Sequence, residues 1–131
     1  MLEHRNPRTL RQPTGTYSQV VTARGGTTVY VAGQVATDPS GAIVGEGDLG
    51  AQAGRVFANL RAALEAAGAA PSHVAKLTIY VVGLRAESRD LVNAELREMF
   101  GDRPPANTLL GVESLARPEY LLEIDAVAVL D

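Results

Sequence analysis

The spacing of apolar residues changes period several times along the chain, and each change marks an element. In "VAKLTIYVV", Lys76, Thr78 and Tyr80 alternate with Leu77, Ile79 and Val81, the two-residue repeat of a strand. "ANTLLGV" and "YLLEIDAVAVL" read as two further strands near the C-terminus. In "GDLGAQAGRVFANLRAALEAAG" the repeat lengthens: Leu49, Ala53, Val56, Leu60, Ala63 and Ala67 share one helix face, with Asp48 to cap the start and Gly68 to end it. "ESRDLVNAELREMFG" is a second helix, with Val92, Leu96 and Met99 inward and Gly101 as the stop. Earlier, "YSQVVTA", Gly25-Gly26 and "TTVYVAGQVA" predict a β-hairpin, with glycine supplying positive φ at the turn. "DPSG" at 38–41 is a turn signal, followed by a short extended "AIV". Residues 1–14, with Pro7 and Pro13, read as an N-terminal arm or irregular segment.

The resulting order, β, β, short β, α, β, α, β, β, predicts an α+β two-layer sandwich: a mixed β-sheet with two helices on one face. The strands are apolar on both alternations, Val29 and Val31 against Tyr30 and Ala32, Val127 and Val129 against Ala126 and Ala128. A solvated antiparallel face would alternate more cleanly. The second face is therefore expected to be buried by other subunits, or else by a loop folded over it.

The chain has 131 residues, which fits a single domain spanning 1–131. Its formal net charge is −3, so no global field draws it to nucleic acid or anionic lipid. The absence of cysteine excludes disulfides, thiolate metal sites and a cysteine nucleophile. No apolar run reaches the ~20 residues of a membrane span, and "MLEHRNPRTLRQP" has no apolar signal-peptide core. These features fit a cytoplasmic protein.

Few motifs carry chemistry by themselves. "GEGDLG" matches G-x-G-x-x-G, but Glu46 and Asp48 put negative charge where a pyrophosphate would sit, so a turn with a helix cap is the better reading. His4 and His73 lie far apart in sequence and are read as isolated from each other, which argues against a metal site. Arg5, Arg8 and Arg11 form a basic stripe without interleaved aromatics, more consistent with a solvated terminus than with an RNA contact. Glu123 and Asp125 enter the stripe shared with Leu121, Val127 and Val129, about 7 Å apart along the strand. Glu123 at a subunit boundary would be partly dehydrated and suit general acid/base work, whereas an exposed strand end would make it a surface charge.

Together, "GTYSQVV", "VYVAGQVATDPSGAIV", "AQAGRVFANLRAALEAAG", "VAKLTIYVV", "VNAELREMF", "PPANTLL" and "LLEIDAVAVL" resemble the RidA (YjgF) family of reactive-intermediate deaminases, in family order from about Gly15 to the end. The resemblance implies a chorismate-mutase-like homotrimer (bacillus type), with sheets meeting in a central barrel and small-molecule clefts between subunits. It implies no metal and no organic cofactor. Its best-known members hydrolyse 2-enamino or 2-imino acids, such as 2-aminoacrylate, to the 2-keto acid and ammonia; some relatives carry a ribonuclease label. By the same resemblance Tyr17 matches a cleft tyrosine, Gly33 a glycine whose backbone meets ligand, and Glu123 the glutamate that positions or activates water. Leu109 stands where many members have a cysteine whose main-chain carbonyl helps hold that water.

One position departs from the pattern. Asn107 stands where deaminating members have an arginine that binds the substrate carboxylate through a two-pronged pair. Asparagine offers one short neutral amide in place of a cationic fork, and a charge-assisted hydrogen bond contributes about 1.5–3 kcal/mol. Asn107 suits an amide, urea or carbonyl ligand, or it caps the strand entry by bonding its own backbone. Three readings follow. The cleft retains Tyr17 and Glu123 but has lost ordinary imino-acid deamination, and binds or hydrolyses another small molecule. Alternatively, it is a working enamine/imine deaminase in which Arg117, from the long loop "GVESLARPEY", supplies the missing cation, although Arg117 also reads as a plain surface charge. The third reading, an RNA-directed protein using the N-terminal arginines, runs against the net acidity.

Overall fold

Along Leu122–Leu130, Leu122, Ile124, Ala126 and Ala128 are buried, while Glu123, Asp125 and Val127 between them are half-buried. This two-residue rhythm assigns one face of the strand to the core and the other to the opposite surface of the sheet. In the computed structural model, which describes residues 1–131, the elements are β1 (Leu2–Arg5), β2 (Val20–Ala23), β3 (Thr27–Gln34), α1 (Leu49–Ala66), β4 (Val74–Val82), α2 (Ala86–Phe100), β5 (Ala106–Val112) and β6 (Leu122–Leu130). The main sheet runs β3-β6-β4-β5, antiparallel except for the parallel β4–β5 pair. Both helices lie on one face, so the α+β two-layer sandwich with a mixed sheet is the observed fold. No helix is long and apolar enough to cross a membrane.

The core joins Val56, Leu60 and Leu64 of α1 and Val92 and Leu96 of α2 to Leu77, Ile79 and Ile124 of the sheet. Asp48 caps α1, its Oδ1 accepting the Ala51 N–H at 3.1 Å, and Gly68 and Gly101 leave the helices with positive φ. Gln52 is fully buried on α1. Its Nε2 donates to the Gly45 and Glu119 carbonyls at 3.2 and 2.8 Å, and its Oε1 accepts the Leu121 N–H at 2.9 Å. It thereby fixes the loop that leads into β6.

The expected hairpin does not form. β2 pairs with β1, and β3 pairs with β6. The N-terminal segment read as irregular thus supplies a strand, Leu2–Arg5, to a two-stranded sheet. Gly25 and Gly26 do not have positive φ. Gly25 instead permits close approach: a Cβ there would meet the Leu130 carbonyl oxygen at 2.3 Å, and the Gly26 N–H donates to that same oxygen at 3.0 Å. The "DPSG" turn forms, with Asp38 Oδ1 accepting from the Ser40 and Ala42 N–H groups, but "AIV" contributes only a Thr37–Ile43 bridge.

Candidate functional site

Asn107 is the second residue of β5, beside Leu77 in register and therefore on the helix side of the sheet. The Asn107 Nδ2 donates to the Thr16 carbonyl at 3.0 Å, and the Thr16 N–H donates to Asn93 Oδ1 on α2 at 2.9 Å. Thr16 is buried. Two side-chain amides thus clamp the backbone N–H and carbonyl of one residue and hold the "GTYSQ" segment across the end of the sheet. The Ser18 N–H adds a bond to the Pro105 carbonyl at 3.0 Å. Asn107 bonds a distant backbone group rather than its own, a contact the sequence spacing could not reveal.

This clamp forms one wall of an open groove of about 590 Å³ between α2, the 14–17 segment and the β5 edge. Tyr17, Asn107 and Leu109 line it, joined by Arg89, Asp90 and Asn93 from α2. Arg89 and Asn93 were not singled out from the sequence. Their spacing with Leu96 places all three on one helix face, and that was the available signal.

Gly33 and Glu123 lie elsewhere, side by side on the open face of the sheet. A β-bulge between Val31 and Gln34 displaces β3, and a Cβ on Gly33 would meet Glu123 Oε2 at 2.4 Å. In register, Glu123 opposes Tyr80. The Tyr80 hydroxyl donates to Asp125 Oδ2 at 3.1 Å, and the Lys76 Nζ donates to Thr108 Oγ1 at 2.7 Å. The bond to Asp125, then burial, then the charges of Asp125 and Glu123 push the Tyr80 pKa up. Burial lowers the Lys76 pKa, opposed by the Asp125 charge. The open face is therefore a polar cluster set among Tyr30, Ala32, Val127 and Val129, with Tyr30 79% exposed.

Within one chain the site residues expected from the sequence fall into two sets. Glu123 on β6 and Asn107 on β5 are separated by β4, roughly 10 Å of sheet, and point to opposite faces. Arg117 belongs to neither set. It is exposed on the loop before β6, where its carbonyl accepts the Tyr120 N–H at 3.1 Å.

The chain as a whole is similar to known proteins. The family described as endoribonuclease L-PSP matches residues 8–130. The chain belongs to the RidA (YjgF) family. A solved structure of the Rid protein YyfB from Yersinia pestis, itself of unknown function, superposes with a TM-score of 0.92 at 39% identity over 98% of each chain. Protein DfrA of Myxococcus xanthus is 39% identical over 115 residues, 88% of this chain and 86% of that one. A 2-iminobutanoate/2-iminopropanoate deaminase of Dermatophagoides farinae is 31% identical over 120 residues, 92% of this chain and 90% of that one.

Elsewhere in this RidA-family chain, His4 and His73, read from sequence as isolated, line one cavity of about 460 Å³. His4 Nδ1 lies 2.9 Å from the Pro104 carbonyl oxygen, and His73 Nδ1 accepts the Ala70 N–H at 2.9 Å. No three His, Asp or Glu side chains converge as a metal would require. Of the N-terminal arginines, Arg5 pairs with Glu3 at 2.7 Å on the surface.

Proposed function

We propose that this protein is a homotrimer with small-molecule clefts between its subunits, in which 2-imino-acid deamination is weak or lost. The observation that carries this reading is the 3.0 Å bond from Asn107 Nδ2 to the Thr16 carbonyl. The amide that stands where deaminating relatives have arginine is committed to the wall of the groove, and it brings no charge to a carboxylate. The separation of Tyr17 and Asn107 from Gly33 and Glu123 supports a cleft assembled from two chains. A second copy that laid its open sheet face against the β5 edge would join the two sets and cover Tyr30, Val127 and Val129.

In that cleft Glu123 positions or activates water, Tyr17 and the Gly33 backbone contact the ligand, and the Leu109 carbonyl helps hold the water. The ligand is a small carboxylate, amide or carbonyl compound. The competing reading, an active deaminase assisted by Arg117, has less support because Arg117 is not among the residues that line the groove. The test couples a dehydratase that generates 2-aminoacrylate to a readout of keto-acid release. Acceleration well below that of an arginine-bearing relative is expected; equal acceleration would overturn the reading, and Arg117→Ala would then show whether that arginine compensates.

A further inference from the structure

Arg89, Asn93 and Leu96 recur at helical spacing on α2, and all three line the groove. Asn93 is fixed there by the Thr16 N–H, so Arg89 stands about 6 Å along the helix from the clamp. Arg89 is the only basic residue among those that line the groove. It is in no ion pair; the two in the chain join the N-terminus to Asp131 and Arg5 to Glu3. Position 107 contributes no charge, and Arg117 stands outside the groove. The neighbouring Asp90 also lines it and would repel a second negative charge on a ligand.

We infer that Arg89 is the anion-binding residue of this site, holding the carboxylate of a small monocarboxylate from the α2 wall. This deepens the cleft reading above and rests on it. A guanidinium offers the planar fork that matches a carboxylate, and its five N–H groups are not taken up by any acidic partner. A carboxylate held from α2 rather than from β5 sits against a different wall, so a short imino acid would not present its reacting carbon to Glu123 as it would from an arginine at 107. The site then binds small acids while deaminating the shortest of them poorly.

The experiment titrates the intact assembly with 2-oxobutyrate and with its neutral counterpart 2-oxobutanamide, using wild type, Arg89→Ala and Arg89→Lys. Wild type should prefer the acid at least tenfold. Arg89→Ala should abolish that preference by lowering acid affinity at least tenfold while amide affinity falls far less, and Arg89→Lys should retain part of it. Arg89 is exposed on its helix, so neither substitution threatens the fold. An acid preference that survives in Arg89→Ala, or acid and amide bound equally by wild type, overturns the inference and leaves the ligand groove standing. Binding of neither probe by wild type overturns the groove and the inference together.

Discussion

Gly33 and Glu123 are in such close contact that a methyl group at position 33 would lie 2.4 Å from Glu123 Oε2 and 2.7 Å from its Cδ. The glycine leaves the space that the carboxyl group occupies. Gly33 does not have positive φ, so alanine is compatible with its backbone, and the obstructing atoms belong to a flexible side chain. Gly33→Ala is therefore expected to change folding stability by less than about 1 kcal/mol while displacing Glu123. Ligand affinity or turnover in the cleft should fall. Unaltered ligand affinity in the folded variant would show that the Glu123 position does not matter to the site.

Asn107 has two testable consequences. Asn107→Ala leaves the buried Thr16 carbonyl without its partner, at a cost of about 1–3 kcal/mol in urea denaturation at unchanged m. A cost under about 0.5 kcal/mol would mean that water replaces the amide. Asn107→Arg removes the same bond but adds a guanidinium beside Tyr17 and Leu109, so affinity for pyruvate or 2-oxobutyrate should improve by about 1.5–3 kcal/mol. Calorimetric titration beside a stability measurement separates the two effects. Equal affinities in two intact assemblies would mean that the cleft differs from the family's by more than this residue.

The raised Tyr80 pKa gives a pH signature. Its neutral hydroxyl donates to Asp125, so the folded state retains the proton above the ordinary tyrosine value of 10.0. The stabilisation is fully present below pH 10 and is lost as pH rises through the higher folded value. The depressed Lys76 pKa acts in the opposite direction, because there the unfolded chain binds the extra proton. Comparing wild type with Tyr80→Phe isolates the tyrosine. As pH rises above 10 the wild type's advantage over the variant should shrink, and a pH-independent difference would refute the assignment.

The periodic parts of the fold were legible because each element's apolar repeat matches the surface it buries: Ala53, Val56 and Leu60 on α1, Leu77 and Ile79 on β4; at the end of α1 the buried residue is Leu64, whereas Ala67, expected on that face, is exposed at the C-cap. Gly25-Gly26 misled because glycine serves two purposes. A turn needs its positive φ and a close backbone approach needs its missing Cβ, and sequence does not distinguish them. β1 was hidden by its brevity and by polar Glu3, His4 and Arg5. At the candidate site the family pattern pointed to position 107 as the anomaly. Its partner, Thr16, lies 91 residues away, and no local rule predicts that bond. Arg89 was passed over because a charged residue on an amphipathic helix usually marks its solvent face. The cavity shared by His4 and His73 depends on chain termini meeting, which periodicity does not encode.

The central claim is that the two halves of the cleft belong to different copies of the chain. Static light scattering at micromolar concentration tests it most directly. A mass three times that of the 13.8 kDa chain is expected. A stable, folded monomer would contradict it, because one chain holds Asn107 and Glu123 on opposite faces of its sheet and cannot bring them to a common ligand.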